Sequence, residues 1–321
     1  MSEQDMTQNV PTSVLNRRVL DFLDRDETVK VAQAGSDYTR TQIREDSFAM
    51  KILPPTKITD DMLDRDLDER LRVIEELEPD SPGAKWVPLQ DTPDGEYIYG
   101  SRYVVPFARV LTPKFVKDIE ELRTYRQDIR KIITQNSIKD GLAEIDGKFT
   151  ETITAIVEDT AGGIPGAQSF TGKVQWIAAS GGLNKYNLVE AFKMLPQGNA
   201  NGKFRQRNWL MMMNDVTAQD LKKLDVTEIG DENVSKMWRD GLTSDTTMGL
   251  KAIFTIKDDL VPNNRIWFFA APQFLGKAYF LHDWTMYMKK EAYFVEMFSY
   301  WMGGFAIGNV AGVCVADLAY S

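Results

Sequence analysis

Apolar and polar positions along this chain change period several times, and each change marks an element. In "RNWLMMMNDVTAQDLKKLD", Arg207 to Asp225, an apolar run from Trp209 to Met213 meets Asn214-Asp215, and Thr217 then opens an amphipathic stretch. The pattern predicts a buried strand, a tight turn and a helix capped by Thr217. After Leu250 the apolar runs are short and strand-like: "LKAIFTI", "RIWFFAA", "KAYFLHDW", "AYFVEMFSYW" and "FAIGNVAGVCVADL". Upstream, Thr112-Pro113 is a cap followed by proline at a first helical position. Phe115, Ile119, Leu122, Ile129, Ile132 and Ile133 then hold a helical period, which Leu142, Ile145, Phe149, Ile153 and Ile156 continue. One rod approaching ~60 Å is expected at ~1.5 Å per residue, breakable at Gly141 and Gly147.

The first third reads differently. Residues 1–45 are polar with no sustained period, the pattern of an arm that orders only against a partner. "FAMKILPPTKIT" predicts a short strand stopped by Pro54-Pro55. Thr59 then caps an acidic helix over 60–78, with Leu63, Leu67, Leu71, Ile74 and Leu77 on one face. "EYIYGSRYVVPFARVL" alternates and places Tyr97, Tyr99, Tyr103, Val105 and Phe107 together. Phe48 to Leu111 is thus an extended excursion, strand out and strand back. "AGGIPGAQSFTGK" is a loop, "VQWIAA" a strand, and Asn184–Leu195 and Asp231–Asp240 are helices.

Composition narrows the function classes. The chain has 321 residues, 43% of them hydrophobic, enough for one large domain or two intertwined ones. Its net charge is −9, and the stretch from Asp60 to Asp80, with ten carboxylates and three arginines, supplies −7 of that. No basic stripe marks a nucleic-acid reader, and the near-neutral remainder suits surfaces that pack against other proteins. One cysteine, Cys314, and one histidine, His282, rule out an intramolecular disulfide, a cysteine metal site and a His-rich metal site. "MSEQDMTQNVPTSVLNRRVLD" carries no apolar signal region, so an intracellular product is expected.

Four motifs invite chemistry and each has a plainer account. "AQSFTGKV" approaches a phosphate loop, but Ala167 stands where glycine is required and Val174 where a magnesium-binding hydroxyl is required. Asp64, Asp66, Asp68 and Glu75 match positions of a calcium loop, but Glu69 takes the place of the turn glycine. His282 and Asp283 are adjacent on a strand, point to opposite faces and have no nucleophile motif beside them. Asp215 after a strand is a lone carboxylate in an ordinary turn. The uncharged run from Met297 to Ala316, with Gly304, Gly308 and Gly312 in tandem G-x-x-x-G spacing, would span a bilayer. Its four glycines and internal aromatics read better as two buried strands joined at Gly303-Gly304.

The order of elements resembles a family. "RYVVPFARVLTPKFVKDIEELRTY", "RNWLMMMNDVTAQDLKKL" and "MGLKAIFTIKDDLVPNNRIWFFAAPQFLGKAYFL" are similar to stretches of the major capsid proteins of tailed double-stranded-DNA bacteriophages, which have the Hong Kong 97-type fold. The likeness runs over roughly residues 45–318, and order is the stronger signal. It implies an α+β fold with an N-terminal arm (1–45) and an extended β-hairpin, the E-loop, within 46–111. A long spine helix and peripheral-domain segment (112–175), an axial domain (176–282) and return strands of the peripheral domain (283–321) follow. The apolar segments from Met297 onward then return as strands, and the corner at Asn214-Asp215 is scaffold.

The resemblance also implies a function. The chain is expected to be no enzyme and to use no cofactor or metal. It is expected to self-assemble into pentamers and hexamers of an icosahedral virion shell, built in the host bacterial cytoplasm. Packaged DNA would lie inside without sequence-specific contact, with scaffolding, portal and decoration proteins as partners and no membrane. Candidate intersubunit contacts are Phe48, Trp86, Tyr97, Tyr99, Tyr103, Phe107, Phe115 and Arg123. An encapsulin-type nanocompartment is the same-fold alternative, and a soluble α/β enzyme the alternative of another class.

Overall fold

A computed structural model gives the fold. It describes residues 27–64, 71–76, 102–124, 129–157, 176–197, 206–224, 249–309 and 312–319, and the isolated positions 21, 22, 25, 86, 95, 232, 235 and 236. The chain divides into two compact units. The first draws on Met1–Asp60, Phe107–Glu151 and Ala278–Gly304, and the second on Asp61–Pro106, Thr152–Lys277 and Phe305–Ser321.

The first unit opens with helix α1, Thr28–Asp46. The expectation of a bare arm is therefore corrected from Thr28 onward. The buried face of α1 carries Val31, Ala32, Ser36, Thr39 and Ile43, mostly small residues that an apolar count does not score. Ser47 follows, and its hydroxyl caps α2, Phe48–Ile52, by accepting from Met50 N–H. The sequence-predicted strand at this point is thus a single helical turn. The strand β1, Pro55–Lys57, starts only at the second proline.

A sheet holds this unit together. It contains β1, β4 (Ala108–Leu111), β5 (Phe115–Asp118), β10 (Lys277–Glu291) and β11 (Phe294–Ala306). The strand order is β1-β10-β11-β4, with β5 also on β11. The helix expected from Thr112 starts later. Thr112 is buried, its hydroxyl accepting from Ser299 N–H at 2.8 Å, and Phe115–Asp118 pair with β11. A short α3, Ile119–Thr124, precedes the long helix α4, Ile129–Val157. At 29 residues α4 is roughly 43 Å long, shorter than the expected rod. Its apolar period is where the sequence places it: Ile145, Phe149 and Ile153 are fully buried.

Gly141 lies mid-helix, where glycine weakens a helix by about 1 kcal/mol relative to alanine. A Cβ there would sit 2.5 Å from the ring of Trp284, which is itself buried. Close helix–sheet packing explains the glycine. Gly141→Val is expected to lower stability by about 1–3 kcal/mol through overpacking, read as a drop in the urea midpoint with an unchanged slope.

The second unit has a sheet of order β6-β12-β9-β7-β8. Its strands are β6 (Trp176–Ser180), β7 (Leu210–Asn214), β8 (Lys251–Thr255), β9 (Arg265–Phe269) and β12 (Val313–Ala319). Helices α5 (Lys185–Gln197) and α6 (Asp215–Asp220) belong with it, and a short α7 (Pro272–Leu275) follows β9. Leu188, Met194 and Leu195 of α5 share a buried cluster with Met211, Met213, Phe268 and Cys314. Burial pushes the Cys314 thiol up to about 12, so it remains a neutral core side chain.

Residues 278–282 lie in the first unit, and β12 pairs with β6 and β9 in the second. The run from Met297 to Ala316 supplies most of β11, which passes straight through Gly303-Gly304, and the start of β12. No helix among the described residues is long and apolar enough to cross a membrane.

The acidic segment is also corrected. Asp60–Met62 is one 3-10 turn, Asp64 bridges to Arg72, and Arg72–Glu76 is a strand, β2. It pairs antiparallel with β3, Arg102–Pro106, from Arg72↔Pro106 to Glu76↔Arg102. The strand-out, strand-back excursion is therefore present as a two-stranded ribbon within the second unit. Of the Asp231–Asp240 helix only Glu232, Ser235 and Lys236 are described, and these are helical, with Lys236 and Glu232 paired at 2.8 Å. The glycine-rich loop with its phosphate-loop near miss lies outside the described residues.

Candidate assembly surfaces

The β2–β3 ribbon has one partly exposed face. On one of its faces Val73 and Val105 are opposite each other and buried, and Glu75 faces Tyr103. Burial, and then the Glu75 charge, push the Tyr103 phenol up to about 12, so it stays neutral at ordinary pH. A Cβ at Gly308 would come within 2.9 Å of the Tyr103 hydroxyl, so this tyrosine is seated against its own unit. The other face carries Ile74, 42% exposed, and an ion pair between Arg102 and Glu76 at 2.9 Å. That pair is solvated and contributes little. Among the described residues the two strands pair with each other, and the Asp64 bridge at Arg72 adds one contact at the start of β2. A two-stranded ribbon is marginal by itself.

The sequence-named contact residues divide into groups. Trp86 is fully exposed. Phe107 is half-buried beside the ribbon, as is Tyr103. Phe48 is buried with its ring 6.3 Å from that of Phe149, and Phe115, partly buried, packs on the Ile119–Ile133–Met297 cluster. Phe48 belongs to the chain's own core. Arg123 lies on α3, and Tyr97 and Tyr99 lie outside the described residues.

Other exposed aromatics went unnamed in the sequence reading. Around the β10–β11 turn, Tyr293 is 72% exposed, and Phe294 and Tyr287 are also open. The Tyr287 ring stands 5.1 Å from that of Phe298. The signal was available: alternation in "FVEMFSYW" buries Val295 and Met297 and turns Phe294 and Phe298 the other way.

The chemical near misses resolve into scaffold. Asn214, not Thr217, caps α6: its carbonyl oxygen accepts from Val216 N–H at 2.9 Å, and its amide donates to Asp258 and to the Val261 carbonyl. Thr217 is buried and donates to the Asn263 carbonyl. Asp215 projects into solvent from the first helical position. His282 meets the edge of Tyr300, whereas Asp283 lies 3.7 Å from Arg40. Asp64, from the calcium-like pattern, accepts from Arg72 at 2.8 Å. Among the described residues no group of three or more His, Cys, Asp or Glu side chains is placed to hold a metal ion.

No protein-family model and no curated protein sequence matches the chain. Solved structures do. The bacteriophage PhiM1 mature capsid is 8% identical with a TM-score of 0.56, over 86% of this chain and 88% of that one. The capsid of cyanophage P-SCSP1u is 11% identical with a TM-score of 0.55, over 84% and 87%. A chain of Mycobacterium phage Bobi is 10% identical with a TM-score of 0.56, over 86% and 91%. At these identities the likeness is one of fold, and it spans nearly the whole of each chain. The chain has the fold of phage capsid proteins, the Hong Kong 97-type fold.

Proposed function

We propose that this chain is the major capsid protein of a tailed double-stranded-DNA bacteriophage. Copies associate into pentamers and hexamers and close an icosahedral shell around the packaged genome. The observation that carries the reading is the extent of the fold likeness: 86% of this chain is matched by the PhiM1 capsid structure, with no large part left over for another activity. The two-stranded β2–β3 ribbon supports it, because a ribbon this small is marginal by itself and gains from packing against a neighbour. Many modest contacts sum to a strong shell when they act together. We assign no catalytic residue.

The exposed contacts in this reading are Trp86 and Ile74 on or near the excursion, and Tyr287, Tyr293 and Phe294 at the β10–β11 turn. The net charge of −9 leaves DNA held by confinement, not by basic patches. Scaffolding, portal and decoration proteins are the further partners, and the virion shell, built in the host bacterial cytoplasm, is the location. The test is expression of the full chain alone, followed by size-exclusion chromatography and negative-stain microscopy. Rings, sheets, tubes or closed shells are expected. A species that stays monomeric at high concentration, even with a scaffolding partner supplied, contradicts the reading.

A further inference from the structure

Beyond Phe280, where its pairing with β1 ends, β10 runs on to Glu291. Over that stretch side chains of α1 hold the strand's backbone. Ser36 Oγ accepts from Met286 N–H at 2.8 Å, and Arg40 Nε donates to the Trp284 carbonyl at 2.7 Å. Arg40 also donates to Thr285 Oγ1 at 3.2 Å. The Trp284 N–H is taken by Asp283 Oδ1 at 2.8 Å. The helix can come this near because its facing residues are small. A Cβ at Gly35 would lie 2.8 Å from Met286 Sδ. Ser36 and Thr39 are buried and satisfy their own hydroxyl protons on the Ala32 and Gly35 carbonyls.

We propose that α1 guards the β10 edge, with Ser36 and Arg40 occupying the backbone positions at Met286 and Trp284 that an added strand would take. The strand excluded is the same edge of a second copy of this chain. β1 demonstrates that this edge accepts backbone pairing, since Pro55–Lys57 already pair with Ala278–Phe280 on the same line. An unguarded edge is a template for joining chains outside the intended geometry. Two side-chain bonds hold it shut less firmly than a strand ladder would, so the guard is releasable. The device is useful whatever shell the chain builds.

The test uses the full chain carrying Tyr287→Cys, an exposed position on β10. Cys314, the only native thiol, is buried and kept neutral by that burial, so it does not compete. Antiparallel pairing of two β10 edges near Met286 brings the two substituted positions to roughly 5 Å. Ser36→Ala with Arg40→Ala is expected to speed disulfide-linked dimer formation at least tenfold over the guarded chain. Both are compared at a concentration where they elute as the same unassembled species. Amide exchange at Met286 is expected to rise at least tenfold in Ser36→Ala alone, and Ser36→Thr is expected to restore protection. Unchanged exchange overturns the proposal, and so does faster exchange with no gain in linked dimer, which leaves α1 a merely structural helix. If the double variant does not fold, Ser36→Ala alone carries both readouts.

Discussion

A chain ended at Asn309 is expected not to fold. The deletion removes β12, which lies between β6 and β9 and, among the described residues, is the only strand that β6 pairs with. Val313, Cys314, Val315, Ala316 and Leu318 are each at most 2% exposed. Burial of each Val or Leu side chain is worth about 1.5–3 kcal/mol, and the whole fold stands on about 5–15 kcal/mol. The lost strand also takes the Asp317 carboxylate from Arg265, which it meets at 2.7 Å. Loss of soluble chain, or of a cooperative thermal transition, is the expected observation. A soluble product with a sharp transition would mean that the last strand is an accessory to the second sheet.

The second large effect is expected at Asp146. This carboxylate is fully buried in the middle of α4. Its Oδ1 accepts from Ser47 Oγ at 2.6 Å and from Ala49 N–H at 3.2 Å, and the same Ser47 oxygen accepts from Met50 N–H at 3.2 Å. One side chain thus fixes the start of α2 against the long helix. Asp146→Ala leaves a buried hydroxyl and a buried N–H without their acceptor, each worth about 1–3 kcal/mol. A loss of about 2–4 kcal/mol is expected from urea unfolding. Asp146→Asn keeps an acceptor oxygen in place and is expected to be milder. Equal losses in the two variants would show that the negative charge, not the acceptor, is what the site requires.

What the sequence revealed follows from which interactions are local. The run from Leu210 to Met213 is buried on both faces, so a continuous apolar stretch announced β7. Ile145, Phe149 and Ile153 recur at helical spacing because α4 buries one stripe. The misread elements depend on partners distant in the chain. Leu71 and Ile74 fit a helical period, yet Val73 is the buried residue, because Val105 lies opposite it in a strand more than twenty-five residues on. Thr112-Pro113 is a sound helix start in isolation, but Thr112 pairs with Ser299. α1 escaped because its inward face is Ala32, Gly35, Ser36 and Thr39, residues that read as polar or neutral until the β10 edge is placed beside them.

Candidate contacts were harder still to read. An aromatic residue destined for a neighbouring subunit and one destined for the chain's own core look alike. Phe48 is buried, whereas Trp86 is fully exposed. The exposed Tyr293 and Phe294 at the β10–β11 turn emerge only once the two long strands are paired.

The central claim is that this fold is used for shell assembly, and electron cryo-microscopy of particles formed by the full chain tests it most directly. We expect closed particles with fivefold vertices, six-membered rings between them, and each β2–β3 ribbon lying against a neighbouring subunit. Particles without fivefold vertices, or a ribbon packed only on its own chain in every subunit, would contradict the account.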